Sequence, residues 1–183
     1  MIYAEEYSLI ALIKRTLSYI DRVIRIKRDP ISYARALGVK VGSRCKLGDI
    51  DAGIFGTGPF LIELGDHVEI TSGVRFITHD GAVWVYRDTE PNIDVFGRIK
   101  LGNNVFVGMN SIILPGVTVG DNVIVGAGAV VSKSIPGGTV AVGVPAKPIG
   151  TVDELRKKID SRAMYIRDME INEKREYLEK SLK

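Results

Sequence analysis

His79 is the residue in this sequence best placed to do chemistry. It closes the segment FITH and opens HDGAVWVYRDTEPNIDVFG, an irregular stretch inside otherwise regular sequence. Irregular segments carried on a rigid scaffold are where sites concentrate. With an unperturbed pKa of ~6.5, a histidine can take a proton from a hydroxyl or amine near neutral pH. A carboxylate against the ring could fix its tautomer and stabilise the imidazolium. Asp80 is adjacent, and Asp51 could come from a coil below. Asp80 reads equally well as a turn residue. Trp84, the only tryptophan, follows with Tyr86 and Arg87. The aromatic could cover the apolar face of a sugar while Arg87 reaches an anionic group. Alternatively, Trp84 and Tyr86 pack the loop onto its scaffold or onto a neighbouring subunit.

The remaining reactive residue types point to less. His67 sits in LGDHV, in the turn slot that Asn104 and Asn122 occupy further on, and reads as a solvated corner. A catalytic zinc site usually takes three protein ligands. Two histidines of unlike context and the single Cys45 offer no such set, so no metal is expected. Cys45 falls at an inward-facing repeat position and reads as an inert buried thiol. GTGPF at 56–60 lacks the Lys-Ser/Thr tail of a phosphate-binding loop.

What must position His79 is set by a six-residue count. From Leu101 it lands on Val107, Ile113, Val119, Val125 and Val131; four residues past each come Val105, Ser111, Val117, Val123, Ala129 and Ile135. Six is a multiple of the strand period of two and not of the helical 3.6, so positions i and i+4 point the same way along short strands. One such unit cannot bury its own apolar face, so units must stack into a β-solenoid. Earlier traces begin at Val41-Gly42 and Leu47-Gly48, slip, and resume at Leu64-Gly65, Ile70 and Phe76. Phe76 to Leu101 is not a multiple of six, so a segment loops out at about 79–98.

Three regions follow: a helical segment over 1–38, the repeat over 39–149, and a helical tail over 150–183. Tyr3, Tyr7, Ile10, Ile13, Leu17, Ile20 and Ile24 form a helical stripe with Lys14, Arg15, Arg22 and Arg25 off it. This helix is expected to cap the open end of the solenoid rather than to rest on a membrane. Asp29-Pro30 ends it, and ISYARALG makes a second short helix. Thr151-Val152-Asp153-Glu154 has capping-box spacing, and another helix spans roughly Asn172 to Leu182. A net charge of +3 is too slight to argue for nucleic acid. The single cysteine, the acidic start and the lack of a long apolar run lead to a cytoplasmic expectation.

Tandem [LIV]-G-x-x-x-x units, a break holding a histidine, and the ending GVPAKPI together resemble the hexapeptide-repeat acyltransferases over about Val39 to Ile149. The resemblance implies a left-handed parallel β-helix with three strands per coil, usually assembled as a homotrimer. The repeat with ITHD and GVPAK is similar to the acetyl-CoA-dependent branch that modifies sugars. The leader running into DPISYARALGVKVG looks most like the polysaccharide-biosynthesis O-acetyltransferases. The resemblance makes His79 the general base, with acetyl-CoA as donor and a saccharide or nucleotide-sugar as acceptor. It places the donor against Met109, Ala127, Ser132, Lys133 and Lys147, the two lysines meeting phosphates as point charges. Relatives acting on simple galactosides or maltose carry a longer histidine loop and often an asparagine nearest the place of Asp51. N-acetylation of a nucleotide-linked amino sugar is the rival reading within the class. A non-catalytic scaffold and a γ-type carbonic anhydrase are the others, the latter short of histidines.

Overall fold

The computed structural model describes residues 9–182. Contacts divide the chain into two units, one ending at Val152 and one over Asp153–Lys183. The first opens with helices α1 (Leu9–Arg28) and α2 (Pro30–Ala36). Strands then follow coil by coil: β1 (Lys40–Val41) and β2 (Lys46–Leu47); β3 (Ile62–Leu64), β4 (Val68–Ile70) and β5 (Arg75–Phe76). Next come β6 (Ile99–Leu101), β7 (Val105–Val107) and β8 (Ile112–Ile113), then β9 (Thr118–Val119), β10 (Val123–Val125) and β11 (Val130–Val131). The stack ends with β12 (Thr139–Val142) and β13 (Lys147–Thr151).

These strands form the three faces of a left-handed parallel β-helix. Face A runs β1-β3-β6-β9, face B runs β2-β4-β7-β10-β12-β13, and face C runs β5-β8-β11. All pairings are parallel except β12 with β13, where the chain doubles back and covers the last edge of face B. Val105 pairs with Val123 and Ile112 with Val130, so one coil is 18 residues, three six-residue units. The six-residue positions Leu101, Val107, Ile113, Val119, Val125 and Val131 are all at most 1% exposed, and the i+4 set from Val105 to Ile135 at most 5%. Ser111 is tolerated inside because its hydroxyl lies 2.8 Å from the Gly108 carbonyl and 3.0 Å from that of Gly126.

The glycine is required by space in several units. A Cβ on Gly42 would lie 2.5 Å from the Gly65 carbonyl oxygen, and one on Gly65 would lie 2.6 Å from that of Gly102. Corners are turned by residues in the left-handed region: Arg44, His67, Asn104 and Asn122 all have φ near +55°. His67 accordingly sits in a corner ladder, its Nδ1 2.8 Å from Asn104 Oδ1, and Asn104 donates in turn to Asn122. Cys45 is half-buried, with its thiol directed at the Gly65 carbonyl.

The N-terminal cap differs from expectation. The helix that packs on β1 and β2 is α2, capped by Asp29 and burying Ala34 completely. Helix α1 leaves its apolar stripe exposed over Leu12–Ile24 and buries Ile26. Tyr3 and Tyr7 lie outside the described residues. The reason is leverage: α1 is fastened at its C-terminal end, where Ile26 packs in and Lys27 pairs with Asp49 at 2.7 Å. Helices α3 (Val152–Asp160) and α4 (Ile171–Ser181) bury no residue.

The close approach of coils predicts that Gly65→Ala destabilises the protein by roughly 1–3 kcal/mol, the usual cost of overpacking. Urea unfolding should show a lower midpoint with an unchanged slope. An unaltered midpoint would mean the coils can spread.

Candidate active site

The chain leaves the solenoid after Thr78 and re-enters at Gly97. Val68 pairs with Val105, a separation of 37, which is one 18-residue coil and an excess of 19 residues. That excess is the length of the segment 79–97. Its two ends are tied to each other: Gly97 donates to the Thr78 carbonyl, Asp80 donates to that of Val95, both at 2.9 Å, and His79 bridges Phe96 in antiparallel sense. His79 therefore stands at the base of the insertion, where the buried Thr78 anchors it.

Its ring is held on two sides. Nε2 lies 3.0 Å from Asp94 Oδ1, and the ring packs against Phe96 with centroids 5.0 Å apart. Asp94 Oδ1 also accepts from Arg87 Nη2 at 2.7 Å. With Nε2–H donated to Asp94, the lone pair resides on Nδ1, which has no hydrogen-bond partner among the described residues. A histidine so arranged can accept a proton at Nδ1 while the carboxylate steadies the cation that forms. The side chain is 27% exposed, so the ring is reachable yet fixed.

Asp80 and Asp51 are not the carboxylates on His79. Asp80 accepts from the Ala82 amide at 2.9 Å and caps the short helical turn Gly81–Tyr86. Asp51 pairs with Arg75 at 2.6 Å and accepts from the Gly53 amide. Asp94 escaped the sequence reading because it lies 15 residues from His79 among other acids. The signal was available in the register: an insertion whose ends must rejoin one coil brings its last residues to its first. Arg87, expected to reach toward a substrate, is instead turned inward. It holds Asp94, and its Nε is buried without a partner. Trp84, 75% exposed, does not pack onto its own solenoid, and Tyr86 stands out beside it.

The remaining candidate positions border face C. Met109 and Ala127 are one coil apart on the same corner, Gly128 donating to the Met109 carbonyl at 2.7 Å. Ser132 and Lys133 follow β11, on the corner from which the insertion leaves two coils earlier. Between the corners runs the outward row Arg75, Ile112 and Val130. Lys147 lies apart, on β13 opposite Val142. A groove of about 500 Å³ lies between α1 and α2. Among the described residues no group of three His, Cys, Asp or Glu could hold a metal ion.

A β-helix with a histidine-bearing insertion defines a class of protein, and comparison with known sequences gives the class its name. Residues 98–133 match the family model described as bacterial transferase hexapeptide (six repeats). The chain is 54% identical to Protein CapG of Staphylococcus aureus over 79% of this chain and 84% of that one. The fold is similar to that of a maltose O-acetyltransferase from Clostridium difficile 630, at 28% identity and a TM-score of 0.52, over 66% of this chain and 73% of that one. A serine acetyltransferase from Brucella abortus strain S19 in complex with coenzyme A matches at 27% identity and a TM-score of 0.50, over 62% and 40% of the two chains. The chain belongs to the hexapeptide-repeat transferase family, and it is an acetyltransferase.

The Arg87–Asp94 pair is half-exposed, so its global contribution is at most ~1 kcal/mol. Arg87→Met should leave the melting temperature nearly unchanged but speed proteolysis within 81–94. Cleavage no faster than in the wild type would mean that other contacts hold the loop.

Proposed function

We propose that the protein is an acetyl-CoA-dependent O-acetyltransferase acting on a saccharide hydroxyl, in the assembly of a surface polysaccharide, with His79 as general base. The observation that carries this reading is the His79–Asp94 pair at the base of the insertion, with a free Nδ1. The acceptor hydroxyl gives its proton to Nδ1 as its oxygen bonds to the thioester carbonyl carbon. Collapse of the tetrahedral intermediate breaks the carbon–sulfur bond, and the imidazolium returns the proton to the sulfur of CoA. Asp94 acts through His79 and is a positioning residue.

The donor lies along face C. Coils are about 4.8 Å apart, so Lys133 stands roughly 10 Å along the axis from the base of the insertion. An extended thioester arm spans that distance easily. Ser132 and Lys133 border the arm on one side, Met109 and Ala127 on the other, and Lys147 meets the nucleotide phosphates. The groove is completed by a neighbouring copy in a homotrimer. Trp84 and Tyr86, left exposed, line the acceptor end. Comparison supports both substrates: one structural relative is a maltose O-acetyltransferase, and another is seen with coenzyme A.

His79→Ala should lower kcat by about 10²-fold or more, the usual weight of a general base, with CoA binding retained. Asp94→Asn should lower kcat with little change in KM, while Asp80→Asn stays near wild type. A wild-type rate for His79→Ala removes it as the base. Free-CoA release across neutral sugars and nucleotide amino sugars identifies the acceptor class; turnover confined to amino sugars would replace O- with N-acetylation. A fully active monomer in light scattering would overturn the shared groove.

A further inference from the structure

Helix α1 is turned the opposite way from a core helix. Ser18, Asp21, Arg22, Arg25 and Arg28 line the groove it forms with α2, so its polar side faces its own fold. Leu12, Ile13, Leu17, Ile20, Val23 and Ile24 are left between 37% and 61% exposed. Six consecutive members of one helical stripe form a contiguous apolar patch, which soluble surfaces rarely leave uncovered. The attachment at Ile26 and Lys27 secures only the end of the helix.

Charge decides what covers this face. Within Leu9–Arg28 stand six Lys or Arg and one Asp, a net of +5. The whole chain carries 25 basic and 22 acidic residues, so everything outside α1 sums to −2. The positive excess of the protein is therefore confined to the one helix that also exposes an aliphatic stripe. No described helix is long and apolar enough to cross a membrane. An apolar stripe with modest overall hydrophobicity and a basic opposite side is the composition of a helix that lies in the plane of a bilayer.

We propose that α1 docks the protein onto an anionic lipid bilayer, its Leu/Ile stripe entering the headgroup boundary. Lys14 extends from its flank to lipid phosphates, its stem following the apolar surface, while Arg22 and Arg25 line the groove behind the stripe and add to the positive field there. A second copy of the chain is the less suitable occupant, since pairing these stripes would bring two +5 helices together.

The test is flotation of the full-length protein with vesicles of phosphatidylcholine alone or mixed equally with phosphatidylglycerol. At about 0.1 M salt, binding to the anionic vesicles should exceed that to neutral ones by at least about 10-fold. It should fall sharply near 1 M, where the screening length shrinks to ~3 Å. The double variant L17E/I20E should lose flotation while keeping the wild-type melting temperature and CoA-release rate. K14E/R22E/R25E should reduce anionic binding to the neutral level. Wild-type protein that does not float overturns the proposal, as does equal flotation with both vesicles. So does light scattering in which L17E/I20E dissociates an oligomer that itself never floats, which assigns the stripe to a second copy.

Discussion

The distance between adjacent coils governs this molecule. Each coil is locked to the next by backbone hydrogen bonds of 2.8–2.9 Å, from Gly42 to Leu64, Gly65 to Leu101, Gly102 to Val119 and Gly120 to Ile135. That spacing leaves no room for a Cβ at those glycines, so in these units the second position is dictated by the neighbouring coil. It also fixes which residues can stack: branched aliphatics inside, Asn or His at one corner, and carboxylate-to-amide ladders beside it. Asp66 illustrates the last. Hydrogen bonds from the Ser43 amide hold its carboxyl below the ordinary carboxylate value. Asn103 and Asp121 repeat the contact one and two coils on. No single unit could survive alone, because its inward side chains meet only those of the coils above and below.

The same constraint gives the candidate site its rigidity. A 19-residue insertion can interrupt the helix only if its ends return within one coil, and here they return as a short antiparallel hairpin. His79 is on one side of that closure, with Phe96 opposite and Asp94 two residues beyond. His79 and Asp94 thus inherit the precision of the solenoid, while Trp84 and Tyr86 in the insertion stay exposed. Arg87 belongs to the support: by sharing Asp94 with His79, it fixes the carboxylate from the far side.

Much of this was legible in the sequence, and the failures have physical causes. Leu101 through Val131 declared the fold because a six-residue period has one structural solution, and His79 stood out because the period broke there. The partner carboxylate did not stand out. Asp80 is adjacent in sequence, but in an extended strand neighbouring side chains point to opposite sides. Asp94 becomes adjacent only through the hairpin closure, which residue types do not announce. Helix α1 was legible as an amphipathic helix, yet its orientation was not. Periodicity reports that a helix has an apolar side, but not that this side turns away from the fold.

The chain therefore presents two exposed apolar surfaces of different character. The insertion offers Trp84 and Tyr86, flat rings with polar edges of the kind that stack on sugars. Helix α1 offers the aliphatic side chains Leu12, Ile13, Leu17, Ile20, Val23 and Ile24 on a helix rich in lysine and arginine. The first suits a ligand with faces and hydroxyls; the second suits a fluid apolar phase bordered by phosphates. Fastening α1 at one end matters for this division. The Lys27–Asp49 pair and buried Ile26 hold it to the first coil, on the opposite side of the insertion from β11. Burying the stripe in lipid therefore asks for no change in the coils that hold His79.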